Sequence, residues 1–337
     1  VKSAANWTLQ RVLRTAIDGV AATAGMRFRR SRGGTEQEQS MVNLKGLSAF
    51  PITPSSRDGQ VDAGALRALL EPLLAAKVDS IGLLGSTGSY PYFSREERRR
   101  AMQAAAALAD GRTPILVGVG ALRTDDAVKL AQDARDAGAA AGLLAAVSYT
   151  PLTDDEVFEH FQTVARESRL PICIYDNPGT THFRFTPALI GRLSRVDGII
   201  AVKSPALDAS TLSGHVAELR AVVPGGFSLG YSADWNCTEA LLAGGETWYS
   251  VLAGIFPKVC LDIVRAVASG DAARARQLDA RLQPVWQLLK TFSSLRVVYA
   301  IANLRGICAA EPPRPILPLP PDAQAKVGEV LAAMDIG

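Results

Sequence analysis

The chain has 337 residues, 48% of them apolar and 20% charged, a globular composition that fits one large domain or two smaller ones. The formal net charge is +3, but seven basic side chains (Lys2, Arg11, Arg14, Arg27, Arg29, Arg30, Arg32) sit in the first forty residues against only Asp18, Glu36 and Glu38. The rest is close to neutral, which argues against a nucleic-acid-binding face. The longest uncharged run, Ala137 to Thr153, is broken by Gly138, Gly142, Ser148 and Pro151, so it does not read as a membrane span.

Residues 1–40 stand apart. They are Arg-rich and poor in acids, with an apolar patch around Trp7, Leu9, Val12 and Leu13, and they end in the linker-like RGGTEQEQS before Met41. A transit peptide or amphipathic arm shares these traits; the segment is read here as a disordered or incidental basic leader without a catalytic role.

From Leu44 onward, short apolar runs alternate with longer helical patterns. Strands are predicted at Gly46 to Ile52, Ser80 to Leu84, Ile115 to Gly118, Gly142 to Val147, Ile172 to Tyr175, Ile199 to Lys203, Phe227 to Gly230 and Thr247 to Val251. Helices are predicted at Asp62 to Ala76, Arg95 to Leu108, Thr124 to Ala137, Asp154 to Ser168 and Pro187 to Leu193. Thr153 with Glu156, and Ser94 with Glu97, have capping-box spacing. Runs that are apolar throughout suit strands buried on both faces. Eight such units fit a closed parallel (β/α)8 TIM barrel over residues 41–270, with an open doubly wound sheet as the competing architecture. Residues 271–337 then form a C-terminal helical extension with room for about three helices, the last two joined by the proline-rich stretch Pro312 to Pro321. In a barrel, function collects where strands end.

Gly85-Ser86-Thr87-Gly88-Ser89 follows the second strand. Its glycines permit a tight turn, and its hydroxyls and N–H groups can hold a carboxylate; a phosphate loop competes, but the Gly-Lys-Ser/Thr ending is missing. Tyr175 ends the fifth strand and enters the turn Asp176-Asn177-Pro178-Gly179. There it serves either as packing or as a proton relay. Lys203 closes the apolar run Ile199-Ile200-Ala201-Val202. It either reaches solvent or pairs with Asp208, or burial lowers its pKa and frees an amine able to attack a ketone. The four cysteines, Cys173, Cys237, Cys260 and Cys308, form no CxxC and read as small buried residues of a reducing, cytoplasmic compartment; His160, His182 and His215 are scattered, and no metal site is expected.

Together these pieces resemble a known family. AFPITP, IGLLGSTGS, LLAAVSYTPLTDDEVFEHF, PICIYDNPGT and IIAVKSP, in this order between about Leu44 and Pro320, resemble the dihydrodipicolinate synthase and N-acetylneuraminate lyase family of class I Schiff-base aldolases and dehydratases. The resemblance implies a homotetrameric barrel enzyme that acts on pyruvate or a related 2-keto acid and needs no metal or organic cofactor. It implies that Lys203 forms the imine and that Thr87, with the N–H groups of the Gly85 to Gly88 loop, holds the carboxylate. Ser86, Tyr149 and Tyr175 would form a hydroxyl relay, with Tyr149 working near a subunit interface.

Three departures bear on the substrate. Thr180 stands where synthase members place the arginine that holds the carboxylate of aspartate semialdehyde, so that substrate is in question and a planar bidentate anchor is lost. Ser89 replaces a loop-ordering glutamate, and Ser148-Tyr149-Thr150-Pro151 replaces a Pro-Tyr-Tyr-Asn run. The second-substrate side is read from Asp176, Thr180, Tyr231, Trp248 and Ser250; Tyr231 and Trp248 would suit an apolar or ring-bearing aldehyde, or else serve as packing. The alternatives to a lyase of unassigned second substrate are a true 4-hydroxy-tetrahydrodipicolinate synthase and a non-catalytic keto-acid or sugar-acid binding paralogue.

Overall fold

Residues 42–334 are described by a computed structural model of the chain. The basic leader proposed for residues 1–40 lies outside them. Eight strands, β1 (Gly46–Ala49), β2 (Ser80–Leu83), β3 (Ile115–Gly118), β4 (Ala141–Ala145), β5 (Ile172–Tyr175), β6 (Ile199–Pro205), β7 (Ser228–Ser232) and β8 (Thr247–Ser250), pair in sequence order. All pairings are parallel, and β8 returns to β1 in the register Ser48 to Tyr249, so the barrel is closed. Besides the one-turn helix Pro178–Thr181, eight longer helices follow the strands: α1 (Ala63–Ala76), α2 (Arg95–Ala109), α3 (Thr124–Asp136), α4 (Asp154–Ser168), α5 (Pro187–Leu193), α6 (Ala209–Val222), α7 (Asp234–Leu242) and α8 (Pro257–Ala268). Among the described residues no helix is long and apolar enough to cross a membrane.

The helix starts follow local chemistry. Thr153 accepts from the N–H of Glu156 while the Glu156 carboxylate accepts from the N–H of Thr153, a complete capping box on α4. The second expected box is half formed. Ser94 accepts from the N–H of Glu97, but the Glu97 carboxylate turns instead to the N–H of Val61, 2.6 Å away, which precedes α1. A backbone donor otherwise left in a part-buried bridge takes precedence over the local return bond.

Pleating sorts the strand residues into two layers. Leu143, Ala145, Cys173, Tyr175, Ala201 and Tyr249 pack together in the barrel interior with Leu44, Leu116 and Phe50. Their strand neighbours Leu144, Ile174, Val202, Leu229, Tyr231 and Trp248 pack outward against the helices.

Beyond α8 there are four helices where about three were expected: α9 (Ala272–Arg281), α10 (Gln283–Phe292), α11 (Ser294–Leu304) and α12 (Pro321–Ala333). The extra one arises because Leu282, followed by Pro284 in the first turn of α10, breaks one long helical pattern into two. The proline-rich segment does join the last two. Trp286 of α10 packs edge-on against Trp248 of β8, with ring centroids 6.4 Å apart, and donates to Asp279 at 3.2 Å.

Candidate active site

Lys203 points into the barrel from β6, opposite Tyr175 of β5 and Gly230 of β7 in the register. It is 4% exposed. Its Nζ lies 3.7 Å from the ring centroid of Phe50, 4.6 Å from that of Tyr175 and 5.6 Å from that of Tyr249. Among the described residues it forms no ion pair with a carboxylate, and Asp208 sits instead at the start of α6. Burial penalises the ammonium and lowers the Lys203 pKa to about 8, although Cys173 and Asp234 pull the other way.

Tyr175 Oη is 3.1 Å from Ser86 Oγ, and burial raises the phenol's pKa while its bonds to Ser86 and Asn177 oppose that rise. Ser86 rides on a loop held tightly over the strand ends. Leu84 and Ser89 both adopt left-handed backbone (φ 54° and 56°), a strained conformation for residues with side chains. The loop closes on itself through Ser89 N–H to Ser86 O at 3.0 Å. A Cβ on Gly88 would meet the Leu84 backbone at 2.9 Å, and one on Gly85 would meet the Phe50 ring at 2.7 Å, so both glycines are required by close approach. Thr87, 7% exposed, belongs to the same turn. Lys203, Tyr175, Ser86 and the Gly85 to Gly88 loop are thus brought to one end of the barrel.

Other candidates are not brought there. Tyr231, Trp248 and Ser250 were read as facing the second substrate, but pleat parity turns them to the helix layer. Trp248 Nε1 and Ser250 Oγ donate to the buried Asp234 at 3.0 and 3.1 Å, and the Tyr231 ring packs toward His215 of α6. Asp234 also accepts from the N–H groups of Val251 and Leu252, so it clasps the end of β8 to α7. Asp176, one residue past Tyr175, turns away to the N–H of Phe185 at 3.4 Å, and burial raises its pKa to about 6. Tyr149 stands 97% exposed.

Three neighbours of the site had escaped notice in the sequence. Phe50 lies one residue past β1 inside the quoted AFPITP segment. Tyr249 has the parity that Trp248 lacks. Asn177 donates through Nδ2 to Tyr175 Oη at 2.8 Å and to Thr180 Oγ1 at 2.9 Å. Two-residue spacing from Tyr175 was the available signal for Asn177.

Known proteins share this architecture. The model of the dihydrodipicolinate synthetase family matches residues 43–334. The chain belongs to that family. A 4-hydroxy-tetrahydrodipicolinate synthase of Thiobacillus denitrificans is 33% identical over 86% of this chain and 96% of its own length. A solved dihydrodipicolinate synthase from Agrobacterium tumefaciens is 52% identical, with a TM-score of 0.85 over 87% of this chain and 98% of that one. The Aquifex aeolicus dihydrodipicolinate synthase is 28% identical, with a TM-score of 0.81 over 87% and 98%. Family members are lyases of the class I aldolase type that process small molecules, and this chain is an enzyme of that type.

Proposed function

We propose that this lyase condenses Lys203 with pyruvate or a related 2-keto acid. The observation that carries the reading is an amine enclosed by three aromatic rings without a carboxylate partner among the described residues. With a pKa of about 8, about one such amine in ten is free at pH 7, against about one in three thousand for an ordinary lysine.

The amine nitrogen attacks the ketone carbon, water leaves, and a protonated imine forms. Its positive nitrogen draws electrons from the adjacent methyl, whose proton departs to leave an enamine. The enamine carbon attacks an aldehyde to form a carbon–carbon bond; the reverse course breaks one, and a sugar acid instead loses hydroxide as water. Tyr175 moves the protons, with Ser86 as its relay partner, and Thr87 with the loop N–H groups holds the keto-acid carboxylate. The exposure of Tyr149 supports a role at the boundary between subunits of a homotetramer. Thr180 lacks the charge to hold a second carboxylate, which favours an aldehyde or sugar acid other than aspartate semialdehyde. Free cysteines, three of them buried, fit a reducing, cytoplasmic setting.

Pyruvate with borohydride is expected to add a reduced adduct that maps to Lys203, in a yield that rises with pH and levels off above about 8. Lys203→Arg should give none. Absence of an adduct from folded protein with pyruvate and other 2-keto acids would overturn the reading.

A further inference from the structure

Asn177 has no part in the chemistry above, yet its side chain is spent on it. Its Nδ2 faces two hydroxyl oxygens, Tyr175 Oη at 2.8 Å and Thr180 Oγ1 at 2.9 Å. A primary amide nitrogen carries two hydrogens and accepts nothing, so both hydrogens are committed. The phenol oxygen receives one of them, so its own hydrogen stays free to be passed on; Ser86 Oγ lies 3.1 Å away, and either hydroxyl can donate in that contact.

We propose that Asn177 is a positioning residue for the proton-transferring tyrosine: its amide fixes Tyr175 Oη as an acceptor, leaves the phenol hydrogen for transfer, and joins this arrangement to Thr180. The inference rests on the reading of Tyr175 as the group that moves protons. When Tyr175 gives up its proton, negative charge develops on the oxygen the amide already faces, so the bond strengthens as charge forms. The backbone prepares this geometry. Asn177 precedes the helical turn Pro178–Thr181, whose Thr180 and Thr181 N–H groups both bond to Asn177 O at 2.9 Å, and that turn returns the Thr180 hydroxyl to the amide. The same residue pair thus links the proton relay to the position where the family arginine is missing. A change of second-substrate specificity at Thr180 therefore carries a kinetic consequence at Tyr175.

The test uses the full chain and three readouts. Adduct formation with pyruvate and borohydride reports Lys203, exchange of the pyruvate methyl hydrogens in deuterated water reports Tyr175, and 13C-labelled tyrosine NMR without pyruvate reports the phenol's ionisation. Asn177→Leu should keep the adduct, slow exchange about tenfold and lower the phenol ionisation constant about tenfold. Asn177→Asp preserves shape but presents an acceptor to the phenol. Its exchange should fall further at neutral pH and approach wild type as the carboxyl protonates and can donate, a pH-dependent rescue that a purely structural role would not produce. Asn177→Asp with wild-type exchange and an unmoved phenol titration would overturn the proposal, as would equal loss of adduct and exchange in both variants. Failure of the wild-type protein itself to form an adduct overturns the lyase reading instead, while the NMR titration still decides whether the amide acts on Tyr175.

Discussion

At the scale of single residues, two buried ionisable groups near the site differ in what their environment does to them. Lys203 faces rings, and burial lowers its pKa, whereas Asp176 faces away and bears a cost. Its folded pKa, raised to about 6, lies above the value of about 4 expected when unfolded. The favourable protonated form is therefore fully present below pH 4, and stability is lost as pH rises through 6. Asp176→Asn should remove that slope and make the protein more stable at pH 7 by roughly 2–3 kcal/mol, read from denaturant midpoints at pH 4 and pH 7. A steeper slope in the variant would rule out this account. The strand-end positions of Lys203 and Tyr175 were legible because each closes an apolar run, while the choice among their roles came only from the family resemblance. Asn177 was not, since its importance lies in the direction of one amide, which the turn Pro178–Thr181 sets.

At the scale of elements, all eight strands could be placed from their apolar runs, but which residues face inward could not be read from those runs. Strands buried on both faces lack the alternation that marks a face, so the sequence pointed to Trp248 and passed over its neighbour Tyr249. The closed register decides between them and sends Trp248 to the helices. Gly118 shows how tightly elements set the site: a Cβ there would lie 1.7 Å from Leu84 O, which is backbone and cannot swing aside. Gly118→Ala should displace the loop from Leu84 to Ser89. The expected result is a raised keto-acid concentration for half-maximal adduct formation, with a loss of about 1–3 kcal/mol in stability. Unchanged saturation behaviour would show that the loop does not hold the carboxylate.

At the scale of the whole molecule, the tail is part of the barrel's packing. The fully buried Trp286 covers Trp248, so Trp286→Ala should cost about 3–5 kcal/mol and lower the temperature of one shared transition seen by tryptophan fluorescence and circular dichroism. Separate transitions for barrel and tail would contradict this. The extension's existence was legible from length, but its number of helices was not, because a one-residue break carries little signal. The closing seam has a further meaning. Phe50 N–H bonds to Ser250 O at 2.8 Å across the β1–β8 junction, and two of the three rings around Lys203 come from its two sides: Phe50 just past β1 and Tyr249 on β8. If that junction parts, water reaches the amine and its ordinary basicity returns. The affinity of Lys203 for a proton is therefore a gauge of whether the barrel is shut.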